Sequence, residues 1–503
     1  MLKNNLLVGD IPPNPKSSLK VEVCHLSLSK KILKRITCLV LAVFTSSAIT
    51  ACGSTANNNS KETSSGNNTL TVSVMTKDMY LDTAVKLFEE QHPGVTIDVK
   101  EYTSNPLPAS DGKNTSIRVG EKPEDVEKYV SAMNTQLMSG NGTDIMLLSP
   151  LPYENYIDKN MLVNLSDMIQ SDESFDMGKY YANILDAMKY NGNLYGLPLS
   201  VNLNVLEANK ALLDKYNIDI DDSKWSWEDF EQAAQEIVEN SKKDGAQGMY
   251  ALSGMDGSTI MSSLVSESYD KFVDKNEKAA GFDSREFVAL LNMAKSMIDS
   301  GYVNTDTSQG KITDLAARGN TVFSAGGIRN YMDMMMAKQT YSDGVEFLNY
   351  PGEGAGLSFT TNTLYGISNN SSNKELAWEF LKFLASDEMM SQNSLVGLPV
   401  NKTASEKSAQ NAVEMSKKVS SSNGNAKIMM NMNGQSINLN KPITEEDVKV
   451  IQELLTDAEK YTNADQKVLS IIREETAAFF AGQKTAEDTA KTIQDRVNTY
   501  INE

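Results

Sequence analysis

Over residues 70–99 the hydrophobic pattern changes from the period of a β-strand to that of a helix and back again. Apolar and polar residues alternate over Leu70–Met75, which predicts a β-strand. Apolar residues then recur at helical spacing through Asp78–Gln91, and a His-Pro-Gly sequence ends this predicted helix. Val95–Val99 predicts a second strand. A strand, a helix and a strand in this order favour a parallel sheet with a right-handed crossover.

Later segments continue the same mixture of helices and strands. Asp144–Leu148 is a short apolar run that fits a buried strand, and Thr321–Ser324 predicts another. Helices are predicted at Pro123–Met138, Trp227–Asn240 (N-cap Ser226), Arg285–Ser300, Asn373–Ala385, Thr444–Tyr461, Ala464–Ala481 and Thr485–Tyr500. Residues 103–122 and 402–440 are polar excursions. Alternating strands and helices place the chain in the α/β class.

The N-terminal 51 residues are predicted to be a signal peptide. A basic cluster at residues 30–35 precedes an apolar run, Ile36–Ala48, which is shorter than the roughly 20 residues that a membrane span needs. The Ile-Thr-Ala-Cys sequence that follows resembles a lipobox, which predicts cleavage before Cys52 and a palmitate-type lipid on its thiol. Residues 52–68 then form a lipid-anchored flexible linker with a reach of about 20–25 Å. An uncleaved signal anchor is the alternative.

Composition and charge exclude several classes of function. The formal charge of −19 argues against binding to nucleic acid or to anionic lipid surfaces, and it favours solubility. The three cysteines, Cys24, Cys38 and Cys52, all lie near the N-terminus, so no disulfide framework or cysteine metal site is expected. Only His92 remains beyond the signal peptide, which disfavours zinc and histidine-based triads. The sequence predicts no cofactor, no metal and no catalytic residue.

Five sequence blocks occur in an order and at a spacing that resemble one protein family. They are Phe88–Ile97, Leu137–Ile145, Asn191–Pro198 with Asn209–Leu213, Gly319–Gly327, and Glu375–Leu384 with Gly397–Val400. Together they resemble the family-one extracellular solute-binding proteins, the relatives of maltose-binding protein. The resemblance covers nearly all of residues 69–503.

The resemblance implies a two-lobed fold of the periplasmic-binding-protein type II kind, with strands that cross between the lobes. The expected N-terminal lobe contains 69–201 plus about 350–399, and the expected C-terminal lobe contains about 203–349 plus 400–503. The crossings are expected near Leu199–Asn202, Leu348–Gly352 and Val400. Closure of the lobes around a solute would then be read by the permease subunits of an ABC importer. The implied protein is a monomer outside the membrane.

Ligands of open α/β sheets lie beyond the carboxyl ends of the strands, which gives candidate binding residues. The loops after the first strand, after Leu148 and after Ser324 contain side chains that suit sugar hydroxyl groups and C–H surfaces. The family pattern adds Asn202 at the first crossing, and the Gly-rich loop 253–257 adds Asp256. The predicted ligand-binding set is Tyr80, Ser149, Tyr153, Asn202, Asp256, Arg329 and Tyr331.

The expected function is capture of an oligosaccharide for import, and two alternatives stay open at this point. A secreted glycoside hydrolase would need two carboxylates across a cleft, and no pair of acidic residues stands out by motif. A solute-sensing lipoprotein would keep the fold but report to a receptor. Polyamines and peptides are the alternative ligands. Trp378, on the apolar face of a predicted helix, is expected to be a core residue.

Overall fold

The computed structural model describes residues 68–103, 123–246, 248–274, 277–306, 319–341, 344–352, 356–421 and 441–502. The predicted signal peptide, Cys52 and nearly all of the predicted linker lie outside these residues. The strands are β1 Thr69–Val74, β2 Thr96–Glu101, β3 Ile145–Leu147, β4 Leu197–Pro198, β5 Ser200–Asn209, β6 Tyr250–Ser253, β7 Val273–Asp274, β8 Ala279–Ala280, β9 Val303–Asn304, β10 Thr321–Ile328, β11 Val345–Leu348, β12 Leu357–Thr360, β13 Leu364–Ile367, β14 Leu398–Pro399 and β15 Ala458–Tyr461.

The helices lie between these strands and at the end of the chain. They are α1 Met79–Gln91, α2 Pro123–Met138, α3 Tyr153–Asp158, α4 Leu165–Ser171, α5 Ala182–Ala187, α6 Lys210–Tyr216, α7 Trp227–Lys243, α8 Gly257–Glu267, α9 Tyr269–Phe272, α10 Arg285–Asp299, α11 Asp333–Thr340, α12 Lys374–Leu384, α13 Asp387–Met390, α14 Lys402–Ser421, α15 Glu445–Asp457, α16 Gln466–Phe480 and α17 Ala486–Ile501. Within the described part of the chain, no helix is long and apolar enough to span a membrane.

The first sheet has the strand order β2-β1-β3-β13-β4. β1 lies parallel to both β2 and β3, as the strand–helix–strand opening predicts, and β13 is antiparallel to β3. Asp78 caps α1 by accepting a hydrogen bond from Leu81 N at 2.8 Å. The buried face of this helix includes Phe88, whose ring meets Phe380 of α12 edge-on with centroids 5.0 Å apart. Helix α1 is therefore fixed to the sheet by its apolar face and by its N-cap.

The second sheet has the order β15-β12-β5-β10-β6-β9, and β11 and β14 also pair with β5. β5 is antiparallel to β10 and β12, whereas β10, β6 and β9 run parallel. Helix α7 begins with a capping box formed by Ser226 and Asp229, which confirms the predicted N-cap. β10 extends to Ile328, beyond the predicted end at Ser324, because it stays paired with β5 through two glycines.

The chain passes between the two sheets at three places that lie side by side. β4 belongs to the first sheet and β5 to the second, so the first crossing lies at Leu199. The second crossing lies at Thr361–Thr363, because β12 is in the second sheet and β13 in the first. The expected crossing at Leu348–Gly352 is therefore wrong in place, since the chain returns to β5 through β12 before it leaves the sheet. Helix α12 packs on β13 of the first sheet, and β14 then pairs with β5 of the second, so the chain crosses a third time between them. Val400 N, directly after β14, donates to Leu199 O at 3.1 Å, so this crossing adjoins the first.

The described side chains form two hydrophobic clusters that do not divide at residue 400. The second cluster contains Trp225, Phe287 and the buried faces of α16 and α17. The first contains the core of the first sheet, but also Leu203 and Phe359 of the second sheet and the buried residues of α14 and α15. The first cluster thus continues from the first sheet onto one face of the second sheet, and it also includes α14 and α15. The predicted helix Thr444–Tyr461 ends at Asp457, because its last four residues instead form β15, parallel to β12.

Candidate ligand-binding site

The start of β5 and the end of β10 lie together at one end of the second sheet. The two strands are antiparallel, and Leu203 is opposite Ile328. Asn202 and the loop that follows Ile328 therefore share this end. β6 is parallel to β10, so the loop after Ser253 also leaves the sheet there. Because β5 begins at the first crossing, this end of the second sheet faces the junction with the first sheet. The strand-end rule thus places the predicted loops at the junction.

Hydroxyl groups from two segments, together with a carbonyl oxygen from a third, join the crossings. Thr361 Oγ1 donates to Ser200 O at 2.7 Å, and Ser200 N donates to Thr363 Oγ1 at 3.0 Å. The Ser200 and Thr363 hydroxyls are 2.9 Å apart, and Ser200 Oγ donates to Val396 O at 2.5 Å. The serine and both threonines are buried. Buried hydroxyls with partners keep the register of the crossings fixed. Single serines and threonines carry no sequence signal that could have shown this cluster.

Three of the predicted tyrosines are buried and use their hydroxyls inside the protein. Tyr80 Oη donates to Leu384 O at 2.5 Å, and Tyr331 Oη lies 2.8 Å from Ser405 Oγ. Tyr153 is hydrogen-bonded to Tyr461 of β15. Burial raises the pKa of Tyr80, Tyr153 and Tyr331 well above the ordinary value. In this conformation these three rings act as packing residues and leave no face for a solute.

The other four predicted residues have accessible side chains. Ser149 Oγ accepts a hydrogen bond from Leu364 N at 3.0 Å, directly after the second crossing, and Asn202 is half-buried at the start of β5. Asp256 is exposed and caps α8 by accepting from Thr259 N at 2.8 Å. Arg329 is 63% exposed in its side chain and pairs with Asp333 at 3.3 Å. The structure thus brings Ser149 and Asn202 to the two sides of the crossings.

Asp78, the N-cap of α1, follows the first strand and is not in the predicted ligand-binding set. Its side chain is exposed, yet desolvation by the surrounding protein raises its pKa. Tyr365 and Tyr80, both buried, lie near this carboxylate. Because Asp78 follows β1 at the carboxyl end of a parallel strand, it is a further candidate for contact with a polar solute.

Glu207 lies further along β5 and is also desolvated. Burial, and to a smaller extent the charge of Asp333, raise the pKa of Glu207 to about 7. The described residues offer its carboxylate no hydrogen-bond donor and no cation. A Cβ at Gly326 would lie 2.8 Å from Glu207 Cγ, so this glycine in β10 leaves the space that the glutamate occupies.

A surface cavity of about 300 Å³ lies elsewhere, between α1, α12 and the segment before α5. It contains none of the predicted site residues. Its two lysines are both paired, Lys179 with Asp387 at 3.1 Å and Lys382 with Asp172 at 2.7 Å. Among the described residues, no group of three or more histidine, cysteine or acidic side chains is arranged to hold a metal ion. The junction of the sheets is therefore the better candidate site.

The sequence is similar to binding proteins of other bacteria. The arabinooligosaccharide-binding protein of Bacillus subtilis is 27% identical over 168 residues, which are 33% of this chain and 37% of that protein. The match thus spans little more than a third of that relative's length. A putative binding protein of Brucella abortus is 22% identical over 332 residues, covering 64% of this chain and 73% of the relative.

The fold is similar to solved structures of the same kind. The sugar-binding protein MalE of Xanthomonas citri has a TM-score of 0.56 at 14% identity and covers 86% of this chain and 97% of its own. A family 1 extracellular solute-binding protein of Alicyclobacillus acidocaldarius has a TM-score of 0.53 at 16% identity, with 86% and 98% covered. An ABC substrate-binding protein of Listeria monocytogenes, in complex with cycloalternan, has a TM-score of 0.52 at 19% identity, with 86% and 99% covered. These similarities confirm the predicted α/β, two-lobed fold.

A family model described as bacterial extracellular solute-binding protein matches residues 111–419. The match includes the first two crossings, the third crossing at Val400 and most of the candidate site. It covers more than half of the chain, and so the chain belongs to the bacterial extracellular solute-binding protein family.

Proposed function

We propose that this protein captures an oligosaccharide between two lobes and delivers it to the permease of an ABC importer. The observation that carries the proposal is the junction of the sheets, where three crossings lie side by side. Polar side chains from strand ends of both sheets surround it, including Ser149 and Asn202. A carbohydrate ligand is supported by the sequence similarity to an arabinooligosaccharide-binding protein and by the similar fold of a protein solved in complex with cycloalternan.

In the proposed mechanism, a solute bound at the junction stabilises the closed arrangement of the lobes. A ligand shifts such an equilibrium only by its differential affinity for the two arrangements. The first lobe would contain β1–β4 and β13, and the second would contain β5–β12 and β15 with α16 and α17. The three adjacent crossings are where the backbone can absorb the rotation. The permease would recognise the closed pair of lobes.

A thermal-shift screen against arabino-, malto- and cyclic oligosaccharides tests the carbohydrate proposal. A sugar at 100 times its Kd stabilises the folded state by about 2.7 kcal/mol, which for a protein of this size raises Tm by about 3 °C. Spermidine and a tripeptide serve as the controls for the alternative ligands. No shift with any sugar, together with a shift for spermidine or the peptide, would contradict the proposal. Release of reducing ends from these sugars would favour the hydrolase instead.

We also propose that a lipid on Cys52 holds the protein on the outer side of the membrane. Support comes from the basic cluster, the short apolar run and the lipobox-like sequence before Cys52, and from the extracellular family. Replacing Cys52 with serine removes the thiol that accepts the lipid. The variant is expected to appear in the culture medium, whereas wild type sediments with membranes. A Cys38→Ser variant is the matched control and should stay with the membranes. Membrane retention of Cys52→Ser at the wild-type level would exclude the anchor.

A further inference from the structure

A row of polar side chains crosses three strands of the second sheet near its junction end. Asn204 on β5 is opposite Ser358 on β12, which is opposite Lys460 on β15. A second row lies two residues nearer the junction, where Asn202 is opposite Thr360. Residues two apart on a strand share a face, so both rows lie on one face of the sheet. The polar patch is Asn202, Asn204, Ser358, Thr360, Lys460 and Thr462.

The face that carries the polar patch changes from polar to apolar along β5. Asn202 and Asn204 are half-buried, whereas Leu206 and Ala208 on the same face are buried in the second hydrophobic cluster. The polar half of the strand is therefore the half at the junction. Thr462 supports this assignment, because its Oγ1 is buried and has no hydrogen-bond partner among the described residues. A buried hydroxyl without a partner is costly unless a ligand or water satisfies it.

Glu267, the last residue of α8, holds the first row in one arrangement. Ser358 Oγ donates to Glu267 Oε2 at 2.6 Å, and Asn204 Nδ2 donates to Glu267 Oε1 at 3.2 Å and approaches Ser358 Oγ at 3.1 Å. The amide nitrogen of Asn204 is the donor to Glu267 Oε1, because an amide oxygen only accepts hydrogen bonds. The amide oxygen must then point away from Glu267, and no donor among the described residues meets it. Asn204 Oδ1 is thus an acceptor held in a fixed direction.

The charges around the polar patch favour a neutral solute. The Glu267 carboxylate already receives hydrogen bonds from Asn204 and Ser358. Lys460 Nζ donates to Glu267 O at 2.5 Å, and its positive charge lies close to that carboxylate. A cationic ligand would meet the Lys460 ammonium group, and an anionic ligand would meet the buried Glu267 side chain. Hydroxyl groups, which both donate and accept, match the amide and hydroxyl groups that remain.

We infer that the polar patch is the wall of the ligand site on the second sheet, that it takes the hydroxyl groups of an uncharged sugar, and that Glu267 is the positioning residue that orients Asn204 toward them. This inference rests on the proposed function. It assigns Asn204 and Thr360 to ligand binding and excludes polyamines from this part of the site. Glu267 itself does not contact the sugar.

The test is a double-mutant cycle on sugar affinity, measured by calorimetric titration with maltotriose, arabinotriose, cycloalternan and spermidine. For a sugar that binds wild type, Asn204→Leu is expected to raise Kd about 5–10-fold, the loss of one hydrogen bond. Glu267→Leu is expected to raise Kd by a similar factor. Adding it to Asn204→Leu should change Kd less than about 2-fold, because Glu267 acts through Asn204. Glu267→Gln, which retains one acceptor for the amide, should restore most of the affinity.

The outcomes separate this inference from the proposed function. Glu207→Gln, on the opposite face of β5, is the matched control and should leave Kd unchanged. Wild-type Kd in both leucine variants, or losses that multiply in the double variant, would overturn the inference while the sugar-binding function stands. Wild type that binds spermidine or nothing in the panel would overturn both. If Glu267→Leu does not fold, Thr360→Val leaves Glu267 intact, and an unchanged Kd in that variant equally overturns the inference.

Discussion

Replacing Gly397 with alanine is expected to lower the free energy of unfolding by about 2–5 kcal/mol. Gly397 has φ of +106°, a conformation that costs an L-residue about 1–3 kcal/mol. An added Cβ would also overlap Ser200 Oγ and lie 3.3 Å from Val201 O. Ser200 would have to leave its hydrogen bonds to Thr363 and Val396, which join the crossings. Chemical denaturation of the purified protein measures the loss.

The matched control for this substitution is Gly482→Ala. Gly482 also has a positive φ, +72°, but no atom lies within 4 Å of the position that a Cβ would take. This variant should therefore lose only the conformational contribution, about 1–2 kcal/mol. Equal losses of unfolding free energy in the two variants would show that close packing at the crossings does not contribute to stability. Because Gly397 lies at a crossing, its variant should also weaken sugar binding, whereas the control variant should not.

Replacing Glu207 with glutamine is expected to stabilise the protein at pH 8 by about 2–3 kcal/mol, somewhat less than the full effect of its pKa shift. The pKa of Glu207 is raised from 4.5 to about 7 by burial and by Asp333. Below pH 4.5 the side chain is protonated in both states, so it carries no penalty. As pH rises toward 7, the unfolded state ionises first, and the wild type loses stability through this window. Glutamine cannot ionise and avoids that loss.

Urea denaturation at pH 4.5 and at pH 8 measures the two ends of this window. The gain of Glu207→Gln over wild type should be close to zero at the lower pH and largest at the higher pH. Glu346→Gln is the control, because this glutamate lies on the adjacent strand β11 with a side chain 42% exposed. It should change stability by less than about 0.5 kcal/mol at either pH. A gain for Glu207→Gln that is independent of pH would show that the carboxylate is not desolvated.

Periodicity located most of the long helices because it reflects local burial, which neighbouring residues in sequence decide. The helices at Pro123–Met138 and Trp227–Asn240 follow from apolar spacing and caps, and Trp378 is buried on its helix face as expected. β15 could not be predicted from local pattern. Ala458–Tyr461 continues a helical spacing, but pairing with β12 draws these residues into the sheet. Tertiary hydrogen bonds outweigh the small difference in local propensity.

The sequence likewise predicted only part of the candidate site. The strand-end rule named loops that lie at the junction of the sheets, and Ser149, Asn202, Asp256 and Arg329 are accessible there. It could not say which tyrosines are buried, because their hydroxyl partners are far away in the sequence. Tyr80 is bonded to Leu384, 304 residues away, and Tyr331 to Ser405, 74 residues away. Their assignment to the ligand stays a prediction that the binding measurements must decide.

The sequence by itself determined the α/β class, the order of most long helices and of four strands, and the resemblance to extracellular solute-binding proteins. These properties depend on periodicity, caps and short blocks, all of which are local in the chain. Only the tertiary structure decided where the chain crosses between the sheets and which polar groups meet there. Ser200 with Thr363, and Asn204 with Glu267, are pairs of ordinary residues far apart in sequence. Their roles arise from burial and from pairing across strands, because desolvation and hydrogen-bond direction are set by the surroundings that folding creates.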